Sequence, residues 1–332
     1  MRVHPLFAWL ALGGAPLLSA AEQQFHTLKD LDLGGGRAAE CRIGFRTYGE
    51  LNADRSNAVL FPTWFNGRTA DLESFIGPDK LLDPAGLFII TVDAPGNGVS
   101  CSPSNSPGAF PKLSIAGMVE SQRRLLAERF GITHLHAVIG ISMGGMQAFE
   151  WITAYPDRVR RAVPIVGSPR LTGSDLLLWN AQLRAIRAFE DAGQDPARAM
   201  PAVQTMHQFP LDPPARRARM SREETDQLLA SAAAPGSRDP RDWAAQLEAM
   251  IGHDAARGGP LSAAAAKVRA RTLIITAPDD QMVHPATAGE FARAGFFPTL
   301  SLPSGCGHRA TACDAALLRE AVPRVRESYQ YA

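Results

Sequence analysis

The feature that most constrains this chain is the stretch Gly140-Ile141-Ser142-Met143-Gly144, which ends an apolar, β-branched run and opens a helical one. A strand that turns at once into a helix forces strained backbone angles on the turning residue. A Cβ two residues to either side would then clash, so glycine stands at both places. The serine Oγ is left exposed beside a helix N-terminus, where the Met143 N–H is free to donate to a developing oxyanion. Strand, turn and helix in this order require a sheet with helices packed against it.

The flanking sequence supplies that sheet. Runs at 57–61, 87–93, 135–140, 161–167 and 271–277 read as nearly continuous apolar strands, buried on both faces as in a parallel sheet. Helical spacing at 114–130 and 143–155 lies between them. Residues 40–48 alternate more like an antiparallel strand. The expected fold class is α/β, a mostly parallel doubly wound sheet. From 169 to 268 no strand is legible, but helix starts are: Ser221 with Glu224 as a capping box, and Asp239 before Pro240. The chain then returns to a core strand, so this stretch reads as an inserted helical lid. Residues 22–168 form the first part of the core, and 269–332 the second.

A serine on such a turn needs an acid and a histidine, in that chain order. After the strand at 271–277 comes Pro278-Asp279-Asp280, on the sheet edge where α/β sites assemble. Asp280 is the expected acid, and Asp279 stays open as the reserve. A strand at 299–302 leads into the glycine-rich loop Gly305-Cys306-Gly307-His308, ahead of a final helix expected over 311–327. His308 is the expected general base. His134, His136 and His253 read as structural, and His284 stands too near Asp280 in the chain to serve. The loop Pro62-Thr63-Trp64-Phe65-Asn66-Gly67 offers the Trp64 N–H as a second oxyanion donor beside Met143, worth roughly 3 kcal/mol in the transition state. The loop at 93–100 reads as a structural turn lining the pocket. Its Gly96-Asn97-Gly98 is too weak a signal for phosphate binding, and no cofactor and no metal is expected. Leu176, Leu177, Leu178, Trp179, Met200, Met206 and Phe209 could line an apolar pocket or form the lid's own core.

The N-terminus has the layout of a secretory signal: Arg2, an apolar stretch at 6–18, then the small residues Ser19-Ala20-Ala21. Gly13, Gly14 and Pro16 interrupt a run already short for a membrane span. Residues 1–21 are therefore expected to be removed, leaving a periplasmic or secreted protein with no membrane partner. The chain carries 34 basic and 33 acidic side chains, and Arg2 is the only charge in the segment, so the mature charge would be zero. That argues against a nucleic-acid partner, which requires a basic face. The four cysteines, Cys41, Cys101, Cys306 and Cys313, allow three pairings in an oxidising compartment, or could remain free thiols.

The segment Gly140-Ile141-Ser142-Met143-Gly144-Gly145-Met146-Gln147-Ala148-Phe149-Glu150-Trp151 resembles the homoserine O-acetyltransferase branch of the α/β-hydrolase fold. So do Tyr48-Gly49-Glu50-Leu51-Asn52 and Tyr155-Pro156-Asp157-Arg158-Val159. The resemblance covers about residue 25 onward and implies an acyl-enzyme on Ser142, a helical lid, and often a homodimer through that lid. Two departures bear on function. In that family an aspartate that engages the homoserine amino group follows the histidine, whereas Arg309 follows His308 here. The loop after the strand at 57–61 also begins Pro-Thr-Trp rather than with the family's histidine-containing start. Export would moreover separate the enzyme from cytosolic acetyl-CoA. The expectation is an exported serine hydrolase cleaving a small-molecule carboxylic ester or related acyl bond; the alternative is homoserine O-acetyltransferase-type transfer to a hydroxyl acceptor.

Overall fold

The computed structural model describes residues 21–233 and 238–322, so the expected signal segment, Ala21 apart, lies outside the described residues. The chain opens with β1 (Gln24–Asp32), β2 (Gly34–Gly35) and β3 (Arg37–Tyr48), followed by β4 (Ala58–Pro62), β5 (Phe88–Val92) and the short β6 (Lys112–Leu113). Then come α1 (Ile115–Phe130), β7 (Ala137–Ile141), α2 (Met143–Ala154) and β8 (Arg161–Ile165). One large sheet runs in the order β1-β3-β5-β4-β7-β8, then β10 (Ile274–Thr276) and β11 (Thr299–Ser301), with β9 (Arg271–Thr272) pairing β8. β1, β3 and β5 pair antiparallel, and every other ladder of the large sheet is parallel.

The central strands β4, β5 and β7 are buried at every position, which explains their unbroken apolar sequences. β1 mixes exposed and buried positions, and its polar residues hid it from a search for apolar runs. α1 starts where Ser114 accepts a hydrogen bond from the Gly117 N–H at 2.9 Å, and stops at Gly131, whose φ of 65° suits a residue without Cβ. α2 is buried from Met143 through Thr153, so it has no polar face. The polar side chains it does carry must find partners inside the protein. Glu150 pairs with Arg257, and Gln147 bonds Gln122 and the Thr63 carbonyl.

Among the described residues between β8 and β9 lie six α-helices: α3 (Gly173–Asp191), α4 (Met200–Leu211), α5 (Pro214–Arg217), α6 (Arg222–Ala233), α7 (Pro240–Ile251) and α8 (Leu261–Ala265). α3 begins with a capping box made by Thr172 and Asp175, and Ser221 with Glu224 makes another before α6. This helical layer is tied to the sheet's loops by buried hydrogen bonds. Gln246 of α7 accepts from the Asn66 N–H at 2.8 Å and donates to the Pro95 carbonyl at 3.0 Å. Asp175 accepts from the His284 N–H at 2.9 Å. After α9 (Ala286–Gly295), the expected final helix is two short pieces, α10 (Ala310–Cys313) and α11 (Ala315–Ala321), and 323–327 lie outside the described residues. The break coincides with a Cys306–Cys313 disulfide that bends the chain back on itself. A second disulfide, Cys41–Cys101, ties β3 to the loop after β5 and accounts for the remaining cysteines.

Candidate active site

Four chain segments leave the C-terminal ends of β4, β7, β10 and β11 and converge above the sheet. Ser142 makes the turn from β7 into α2 with φ 59° and ψ −121°, outside the regions a residue with a Cβ ordinarily occupies. Two glycines make the turn feasible. A Cβ on Gly140 would sit 2.0 Å from the Gly144 carbonyl oxygen, and one on Gly144 would sit 2.8 Å from the Pro62 carbonyl oxygen. The first turn of α2 is thereby pressed against both its own strand and the loop after β4.

Ser142 Oγ lies 2.8 Å from His308 Nε2, and His308 Nδ1 lies 2.7 Å from Asp280 Oδ2. The other Asp280 oxygen accepts from the Met282 and Val283 N–H groups at 2.8 and 3.0 Å, so both oxygens of the carboxylate are engaged. Asp280 is 2 % exposed and Ser142 8 % exposed. Asp279 is exposed on the outside of the same turn, so the pair left open by sequence separates into one buried and one solvated carboxylate. Such a chain can pass a proton from the hydroxyl to a carboxylate-oriented imidazole. His308 sits on a single 3-10 turn, Gly307–Arg309, enclosed by the Cys306–Cys313 bridge and packed against α4.

The Met143 N–H is the first of α2, and the Trp64 N–H belongs to the loop after β4. Neither donates to an acceptor among the described residues. Trp64, Ser142 and His308 line one cavity of about 310 Å³. Its walls are mainly apolar: Phe65 and Phe75 from the sheet side, Trp179 and Leu211 from the lid, Met282 from the acid loop. Of the lid residues marked in the sequence, only Trp179 reaches this cavity. Leu177 and Phe209 face solvent, and Met200 is buried in lid core. Sequence reasoning missed His207, whose ring packs among Phe65, Trp179 and Trp243. Burial, and secondarily the charge of nearby His308, pushes the His207 imidazole down to about 3, so it is neutral at working pH. Arg309 stands at the cavity rim, 3.7 Å from Asp212.

The loop at 93–100 does not line this cavity, contrary to expectation. It braces the loop after β4 from behind. Buried Asp93 accepts from the Thr69 N–H and from Asn97 Nδ2, each at 2.9 Å, and Asn97 Nδ2 also donates to the Gly67 carbonyl. His284 is exposed, His253 is buried beside Glu150, and His134 hydrogen-bonds Thr133, all away from Ser142. Among the described residues, no three His, Cys, Asp or Glu side chains come together in a way that could hold a metal ion.

Residues 59–310 match the family model for the alpha/beta hydrolase fold. Ethyl acetate hydrolase of Pseudomonas veronii is 42% identical over 153 residues, 44% of each chain. Homoserine O-acetyltransferase of Geotalea daltonii is 39% identical over 167 residues, 42% of this chain and 44% of that one. The matched stretch thus spans about half the length of these curated relatives, or slightly less. Among solved structures, an acetylester hydrolase from Corynebacterium glutamicum superposes with a TM-score of 0.79 at 28% identity, covering 90% of this chain and 96% of that one. With the fold, the serine turn and the matched span in agreement, this chain belongs to the alpha/beta hydrolase fold family, and within it resembles the branch that includes homoserine O-acyltransferases.

Proposed function

We propose that this protein is a serine hydrolase of small carboxylic esters, working through an acyl-enzyme. The observation that carries the reading is the continuous chain Ser142 Oγ to His308 Nε2 at 2.8 Å and His308 Nδ1 to Asp280 Oδ2 at 2.7 Å, at the floor of a cavity. Ser142 Oγ attacks the acyl carbon while its proton passes to His308 Nε2. The tetrahedral oxyanion is held by the Met143 and Trp64 N–H groups. Collapse breaks the bond to the alkoxy oxygen, which leaves with the proton from His308. Water then repeats the sequence on the acyl-enzyme and releases the carboxylic acid.

A cavity of about 310 Å³ with aromatic walls suits a short, uncharged acyl and alkoxy pair. The named activity of the Pseudomonas veronii relative is of that kind. Labelling with a fluorophosphonate tests the reading: wild type takes the label, Ser142→Ala does not, and an unlabelled wild type sinks it.

Acyl transfer to a hydroxyl acceptor is the second reading, favoured by the homoserine acyltransferases among the relatives. It differs only in what deacylates Ser142. Arg309 at the rim supplies no counter-charge for an amino-acid ammonium. Thiol release from acetyl-CoA that depends on added homoserine would select this reading over hydrolysis. Export from the cytosol belongs to the same proposal, and the pairing of all four cysteines supports an oxidising compartment. Cell fractionation checks it. A homodimer through the lid is supported by exposed Leu177, Phe209 and Leu229 on α3, α4 and α6, and sedimentation tests it.

A further inference from the structure

Behind the serine turn runs a buried polar chain that the proposed reaction does not itself use. Trp151 Nε1 donates to Gln122 Oε1 at 2.8 Å, and Gln122 Nε2 donates to Gln147 Oε1 at 2.5 Å. Gln147 Nε2 in turn donates to the Thr63 carbonyl at 3.0 Å and to the Met143 carbonyl at 3.2 Å. Gln122 and Gln147 are fully buried, and Trp151 is 2 % exposed. Buried amides carry a desolvation cost that an apolar side chain of the same volume would avoid. Three linked polar groups buried between α1, which carries Gln122, and α2, which carries Gln147 and Trp151, therefore call for an account beyond packing.

The direction of this chain is determined from both ends. An indole N–H can only donate, so Gln122 must turn its oxygen toward Trp151 and its nitrogen toward Gln147. Gln147 must then turn its oxygen back and its nitrogen forward, onto two carbonyls that can only accept. No amide in the series can flip without setting two like groups against each other.

The terminal acceptor matters because the Thr63 carbonyl shares a peptide with the Trp64 N–H. The described peptides are trans, so that N–H points opposite to the carbonyl. Gln147 holds the carbonyl from the α2 side, which turns the N–H away from α2's interior and toward the cavity that Trp64 and Ser142 line. Gly144 packs the first turn of α2 closely against the same loop, since a Cβ there would come 2.8 Å from the Pro62 carbonyl oxygen. We propose that Gln147, oriented by Gln122 and Trp151, is the positioning residue for the second oxyanion donor, setting the Thr63–Trp64 peptide plane before substrate arrives. This rests on the serine hydrolase reading of the site. It adds a reason for the glutamine at this place in α2.

Gln147→Met keeps length and volume while removing both donated hydrogen bonds. Kinetics with a short aryl ester, normalised to active sites counted by end-point fluorophosphonate labelling, separate positioning from folding. The expected result is a roughly 10- to 100-fold fall in kcat per site, the scale of a misplaced oxyanion donor, with KM within about twofold. The affinity for a trifluoromethyl ketone, which forms a tetrahedral adduct on the serine, falls by the same factor. Unchanged kcat per site and unchanged ketone affinity overturn the proposal, as does a loss confined to the number of active sites. Should Gln147→Met not fold, Trp151→Phe removes the far end of the chain alone. A severalfold loss of ketone affinity there supports the proposal, and none overturns it. A wild type that neither labels nor hydrolyses would instead overturn the site reading itself, and this inference with it.

Discussion

Asp279 and Asp280 are chain neighbours with opposite surroundings: one solvated, the other buried with one oxygen on two backbone N–H groups and one on His308. Asp280→Asn should preserve shape but present an N–H or a weaker acceptor to the imidazole, lowering kcat by about 10³- to 10⁴-fold. Asp279→Asn should leave kcat within about twofold, since a solvated carboxylate orients nothing. Steady-state kinetics of the pair check this, and equal losses would contradict the assignment. His207 gives a second test at this scale. Its folded pKa is depressed to about 3 against 6.5 for the free group, so folding favours the neutral ring. The associated stability is complete above pH 6.5 and is lost as pH falls from there toward about 3. His207→Phe should therefore flatten the fall of Tm across that acid window, as read by thermal unfolding at stepped pH.

At the level of elements, the turn carrying His308 is short and holds its place through what surrounds it. The Cys306–Cys313 bridge encloses it, and α4 packs over it. On the acid side, Asp175 both caps α3 and receives the His284 N–H, joining the lid to the loop that carries Asp280. Asp175→Ala should cost about 1–2 kcal/mol of stability as a lost helix cap. It should also lower kcat, because the acid loop loses a lid anchor; a drop in Tm with kcat unchanged would separate the two roles.

Much of this organisation was legible in the sequence. Strands buried on both faces announce themselves as apolar runs, and β4, β5 and β7 were found within one or two residues of their bounds. The serine turn is a local steric pattern, so Gly140, Ser142 and Gly144 could be read directly. What was not legible depends on contacts distant in sequence. β1 is half exposed and lacks an apolar run, the break between α10 and α11 accompanies a disulfide, and lid side chains sort into pocket and core only once the helices are packed. His207 and Gln147 carried no spacing signal. Their meaning lies in being buried polar groups, which periodicity cannot reveal.

For the whole molecule, two covalent links constrain very different spans. Cys41–Cys101 closes a sequence separation of 60 and Cys306–Cys313 one of 7. Loop-entropy arguments assign about 4 kcal/mol to the first and about 2.5 kcal/mol to the second. Global stability should thus fall more in Cys41→Ala/Cys101→Ala than in Cys306→Ala/Cys313→Ala. Activity per folded molecule should show the reverse order, because only the second pair encloses the His308 turn. Denaturant titration and site-normalised kinetics of the two double variants check both halves. A near-balance of 34 basic and 33 acidic groups provides no net charge to draw in a charged substrate, which leaves selectivity mainly to the cavity and its rim.

The central claim is that an acyl group is carried on Ser142, and it can be seen directly. Wild-type protein mixed with a short-chain aryl ester, quenched in acid within the first turnovers and mapped by peptide mass spectrometry, should carry the acyl mass on the peptide containing Ser142. That mass should be absent from Ser142→Ala and should persist when turnover is slowed in His308→Ala preloaded with an activated ester. Ester cleavage by the wild type with no acyl mass on Ser142, or with the mass on another residue, would contradict the account.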